Sequence, residues 1–304
     1  MGLSDEKACG FTLMEVLLAL AITGVLAGMV FSTFRYQQNA FVAEQAAAAL
    51  IQNLRGGLHL MGTEIRMAGL LTGLDRASHD FIDWDPTRPG TDSLTAVMGG
   101  VDNISGITDY REGSDLVAIV KASVSDRGLL EPGEGAAAGS TGFVLRDLDL
   151  DGDGDDDLNA KVNGKNYGVL VKGDLGGAQL FRIVRRTAST VGIEGALKME
   201  FGAGDIIARV DILVFSVDDA NPLFPEAVLT LRNVGSGNRR QVIAENISDL
   251  QVEYRLEDGT EVSDPVGLER RVGTVTIILT GTSTVTGYRV MKRKLSSTIM
   301  LRNR

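Results

Sequence analysis

The chain has 304 residues, 44% of them hydrophobic, with a formal net charge of −10 and a single cysteine, Cys9. An acidic balance of this kind argues against a partner held through its phosphate backbone, and one thiol excludes an internal disulfide framework. The length is enough for one large or two small cores.

The first element is an apolar run from Phe11 to Phe34, preceded by Lys7 and closed by Arg35. Its twenty-four residues would span about 36 Å as a helix, more than a hydrocarbon core of about 30 Å. A secretory signal has a shorter apolar region, about 7–15 residues, ending at a small-residue cleavage site. A lipoprotein signal fails because Cys9 precedes the run. An ordinary anchor leaves Glu15, the one charge inside the run, without a purpose. A carboxylate at membrane depth costs about 2.5–3.5 kcal/mol.

The stretch Gly10-Phe11-Thr12-Leu13-Met14-Glu15 resembles the prepilin processing site of type IV pilins and type II secretion pseudopilins. The resemblance implies that a prepilin peptidase cuts after Gly10 and methylates the new amine of Phe11. The ten-residue leader, and Cys9 with it, would then be lost. Glu15 stands one helical turn from that cationic amine, and intramembrane charges persist where they pair. A carboxylate that neutralises the amine of its own chain or a neighbour would set the axial stagger of assembled helices. Glu15 is therefore expected to serve assembly, with no catalytic role.

After the span, residues 36–70 keep helical character and contain no proline. Ile51, Leu54, Leu58, Met61, Ile65 and Ala68 recur at steps of three and four, one apolar stripe expected to lie on the chain's own globular part. Gly56-Gly57 and Gly62 are expected kink points. Gly24 and Gly28 form a small-residue spacing that lets membrane helices approach. His59 flanks the stripe and reads as a boundary residue.

From about residue 75 short β-like runs alternate with Gly, Asp, Asn and Pro. Strands are expected over 115–124, 167–173, 179–184, 205–217, 227–233, 247–256, 272–282 and 288–303. The segment "NLRGGLHLMGTEIRMAGL" and, near the C-terminus, "AENISDLQVEYRLEDGT" and "LSSTIMLRN" resemble the corresponding segments of PilW-like minor pilins. The expected architecture is α+β, a long N-terminal helix packed on a β-rich C-terminal domain. Its parts are a leader (1–10), a helix (11–70, membrane-spanning over 11–34 and amphipathic over 36–70) and a globular domain (71–304).

Seven acids crowd into residues 147–157, and the mature chain without them would be near neutral. Asp149, Asp151, Asp153, Gly154 and Asp157 follow the spacing that opens an EF-hand calcium loop; Asp147, Asp149, Asp151, Gly152 and Asp155 offer a second register. Alternate carboxylates converge on one ion and the glycine permits the turn. The twelfth position is Ala160 or Leu158, so the closing glutamate is missing. Calcium is the expected ligand; a solvated acidic loop is the alternative.

By resemblance the chain is a minor pilin that builds into or primes a type IV pilus. The alternative is a type II secretion pseudopilin, and a membrane-tethered adhesin or DNA-binding module ranks lower. The implied partners are other pilins or pseudopilins through the helix, prepilin peptidase and an inner-membrane assembly platform; no nucleic acid is expected. The implied location is the inner membrane with a periplasmic domain, then the pilus or cell surface. No enzyme is expected: His59 and His79 are the only histidines, and no nucleophile motif or phosphate-cradling loop accompanies them. The basic cluster Met291-Lys292-Arg293-Lys294 reads as the guard of a sheet edge.

Overall fold

The computed structural model describes residues 12–70, 98–130, 136–146 and 166–301, apart from 106, 108, 175–176, 188–189, 222, 225, 235–239, 266–267, 269–270 and 285–289. The described chain forms two compact units. One holds the N-terminal helix as far as Ala49; the other runs from Leu50 to Ser283 and resumes at Met291.

One helix, α1 (Leu13–Arg66), continues without interruption for 54 residues. Arg66 lies in its last turn, where a cation suits the negative end of the helix dipole. Turns at 67–70 follow, and Gly69 takes a φ of 78° that a Cβ would penalise. From Leu50 onward, Leu50, Leu54, Leu58, Met61 and Ile65 are buried, with Ala68 just beyond the helix. The stripe starts at Leu50; Ile51 is only half-buried. The kinks expected at Gly56-Gly57 and Gly62 do not interrupt α1. A Cβ on Gly57 would lie 3.0 Å from both Leu229 Cδ2 and Leu279 Cδ1, and one on Gly62 would lie 3.5 Å from Ile299 Cδ1. Those two glycines allow a close approach, and the packing they permit outweighs their poor helix propensity.

Nine strands form the larger sheet: β1 (Met98–Val101), β2 (Leu116–Leu130), β3 (Gly142–Arg146), β4 (Asn166–Val171), β5 (Ala178–Arg186), β6 (Thr190–Ile193), β7 (Ile206–Asp218), β8 (Val228–Asn233) and β9 (Arg240–Glu245). Their order is β1-β2-β3-β6-β5-β4-β7-β8-β9, and β2 also pairs with β7. That extra pairing closes β2, β3, β6, β5, β4 and β7 into a ring. β2 makes the closure possible. Its first part pairs Val117–Ala122 with Phe215–Val210, its register shifts before Arg127, and Leu129 and Leu130 then also meet Arg146 and Leu145 of β3. A bulge of this kind bends a strand so that it serves two neighbours.

The ring has a core of its own, to which every one of its strands contributes, including Leu130, Phe143, Leu170, Phe181, Val191 and Ile207. Phe143 and Phe181 meet edge to face at 5.6 Å between centroids. Gly168 makes room for the second ring, since a Cβ there would fall 2.7 Å from Phe181 Cε2.

The smaller sheet contains β10 (Ile247–Leu256), β11 (Glu261–Val262), β12 (Val272–Ser283) and β13 (Met291–Met300) in the order β11-β10-β12-β13. Leu250, Val252, Tyr254, Val275, Ile277, Leu279 and Ile299 share one core with the α1 stripe and with Val117, Ile119, Phe215 and Leu229 of the larger sheet. Both sheets therefore bury a face against residues 50–65 of the helix. β13 is an edge strand, and its Lys292, Arg293 and Lys294 are exposed. This is the α+β architecture the sequence implies: a long N-terminal helix packed on antiparallel sheets.

Candidate processing and assembly site

Gly10 and Phe11 lie outside the described residues, so the site begins with the capping of α1. The Glu15 N–H donates to the Thr12 carbonyl at 3.1 Å and to Thr12 Oγ1 at 3.3 Å. Thr12 thus satisfies one of the free N–H groups at the helix start. Thr-x-x-Glu is the spacing of a capping box, in which the acid reaches back toward the cap. An acid in the first turn also suits the positive end of the helix dipole. The observed capping is by Thr12 on the Glu15 N–H, and the Thr-x-x-Glu spacing makes it legible in the sequence.

Every residue from Thr12 to Asn39 is exposed, including Leu13, Leu17, Leu20, Val25, Met29 and Phe34. α1 is long and apolar enough to cross a membrane. Its hydroxyls are satisfied within the helix, as apolar surroundings require. Thr23 Oγ1 donates to the Ala19 carbonyl at 2.8 Å, Ser32 Oγ to that of Met29 at 2.8 Å and Thr33 Oγ1 to the same oxygen at 2.9 Å. A Cβ on Gly24 or Gly28 would meet nothing within 4 Å, so that face is open to a neighbouring helix. The arrangement offers an uncovered apolar rod with one carboxylate in its first turn.

Asp147, Asp149, Asp151, Asp153, Asp155 and Asp157 lie outside the described residues, as does His79. Among the described residues no group of three or more His, Cys, Asp or Glu side chains is placed to hold a metal. His59 is exposed on α1, and its carbonyl accepts the Thr63 hydroxyl at 2.9 Å.

Residues 7–31 match the Prokaryotic N-terminal methylation motif. The matched segment contains Gly10, Phe11 and Glu15. Over this region the chain is like a type IV pilin or pseudopilin, a structural class and not an enzymatic one. Processing by prepilin peptidase and contact with other pilins go with that class in general. Together with the apolar helix, the motif points to the membrane or a pilus. No curated protein matches the chain.

Proposed function

We propose that this chain is a minor pilin, similar to PilW-like proteins, that assembles into or primes a type IV pilus. One observation carries the reading: residues 12–39 are exposed and apolar over much of their length, and residues 50–65 of the same helix enter the β core. An exposed apolar helix suits lateral packing among other helices, and the chain continues from it into a folded domain. Prepilin peptidase would cut after Gly10, Phe11 would become the first residue, and Glu15 would set the stagger against a neighbour's amine. The platform in the inner membrane would receive the chain with its β domain in the periplasm, and the pilus would carry it outward.

Mass spectrometry of the mature protein tests the processing. An N-methylated Phe11 is expected, and a retained Met1 in a strain with active prepilin peptidase sinks the reading. The methylation motif is shared with type II secretion pseudopilins, and that reading is second. A deletion strain separates the two: loss of pili with intact secretion supports the first, and the reverse supports the second.

Residues 147–157 are proposed to bind calcium through one of the registers Asp149-Asp151-Asp153-Asp157 and Asp147-Asp149-Asp151-Asp155. The support is the alternation of carboxylates with a glycine at the turn position.

A further inference from the structure

The edge of β10 that β12 leaves free is taken up beyond β11 by the chain just ahead of β2. The Asp115 N–H donates to the Leu250 carbonyl at 2.8 Å, and the Leu250 N–H donates to Ser114 Oγ at 3.0 Å. Gln251 Nε2 donates to the Gly113 carbonyl at 2.9 Å. The Asp115 carboxyl completes the tie. Its Oδ2 accepts the Val252 N–H of β10 at 2.7 Å, and its Oδ1 accepts the N–H of Asn103, in the segment after β1, at 3.0 Å. One carboxyl, only 3% exposed, thus joins the segment 102–115, the start of β2 and the smaller sheet.

Among the described residues, the charged and titratable groups acting on it are acids or a phenol. Asp102 stands beside it from its own segment, and the buried Tyr254 faces it from β10, with Asp264 acting on the same phenol. The basic side chains near the segment are engaged elsewhere: Arg111 with Asp219 at 3.8 Å, and Arg240 with Asp109 at 3.9 Å and Asp218 at 3.5 Å. Burial is the main cause that pushes the Asp115 carboxyl up to about 7, against the two N–H bonds that favour its charged form, and Asp102 adds to the rise. Burial first, and then the Asp115 charge, push the Tyr254 phenol up as well.

We propose that Asp115 is a proton-operated latch between the two sheets. With its proton the carboxyl holds the segment 102–115 against β10. Without it, the buried Asp115 carboxylate stands beside the half-buried Asp102 with no balancing cation among the described residues, and the tie loosens. An acid raised in the folded state stabilises that state most below the ordinary carboxylate range. The contribution is lost as pH rises from that range through about 7.

Hydrogen exchange on the full chain in detergent micelles, at about pH 5.5 and about pH 8.5 and corrected for intrinsic rates, reads the latch directly. Protection of the Asn103 and Val252 amides is expected to fall about tenfold or more at the higher pH, relative to the amide of Val275 in β12. Asp115→Asn should remove that pH dependence. Asp102→Asn deletes the neighbouring charge and should move the loss to lower pH and shrink it. Equal relative protection at both pH values in the unsubstituted chain overturns the proposal. If Asp115→Asn does not fold, an unmoved transition in Asp102→Asn overturns it as well.

Discussion

A side chain added at Gly56 meets nothing within 4 Å, whereas one at Gly57 lies 3.0 Å from two leucine methyl groups on different sheets. Gly56→Ala should therefore stabilise the chain by up to about 1 kcal/mol, the usual helix-propensity difference. Gly57→Val should destabilise it by about 1–3 kcal/mol through overpacking. Gly281→Ala belongs with the second, because its Cβ would fall 2.6 Å from Leu50 Cδ1 and 2.9 Å from the Asn246 carbonyl oxygen, a backbone atom that cannot step aside. Urea denaturation midpoints of the three variants measure these signs. The sequence shows two adjacent glycines in a helix and nothing of what lies opposite them, so it cannot tell a hinge from a seat. Glu15 poses a similar question of two roles. Glu15→Gln keeps a side chain that can reach the Thr12 cap but removes the charge. Incorporation into filaments should fall in Glu15→Gln and in Glu15→Val alike; recovery in the Gln variant alone would leave capping as the whole role.

Along α1 the periodicity of three and four is a local property, so the buried stripe was legible to within one residue, Leu50 in place of Ile51. Met61→Ala should cost about 2–5 kcal/mol, as for a large buried side chain in a close-packed core. Ile51→Ala, at a half-buried position, should cost clearly less; thermal or urea melts of the pair compare them. The strands divide in the same way. β4, β5, β7, β8, β10 and β12 announce themselves through branched, alternating runs. β1 contains two glycines, β6 has four residues and β11 has two, too little for any pattern, and they form because a neighbour pairs with them. β2 runs on to Leu130 through the polar stretch Ser123–Arg127, beyond the expected end at 124. Pairing with β7 on both sides of that stretch, up to Ala122 and again from Arg127, and with β3 at Leu129 and Leu130, keeps the strand going. The closure of the ring depends on that long-range pairing and leaves no local trace.

For the molecule as a whole, the clearest functional signal is also the most local, six consecutive residues at the start of the apolar run. The junction at Asp115 was invisible for the opposite reason: its carboxyl partner Val252 is 137 residues away, and an acid opening an expected strand reads only as its polar end. Calcium is a test at this scale. Ligand bound only by the folded chain stabilises it by about 2.7 kcal/mol at a hundredfold excess over Kd, set against a net stability of roughly 5–15 kcal/mol. The melting temperature should rise in calcium and respond weakly to magnesium, which demands tighter octahedral geometry. Asp151→Ala should abolish the rise, since Asp151 serves both registers. Asp147→Ala and Asp157→Ala then identify the register in use. An unchanged melting temperature in calcium leaves the segment as a solvated acidic loop.

The core shared by α1 and β13 also sets a schedule. The helix is synthesised before every described strand, and the strand that supplies Ile299 to its buried face follows all the others. At roughly 5–20 residues per second, the interval between Arg66 and Met291 lasts on the order of 10–50 s. Throughout it Leu54, Met61 and Ile65 have no complete lining. A chain truncated before β13 is therefore expected to leave that part of the α1 stripe without its Ile299 lining.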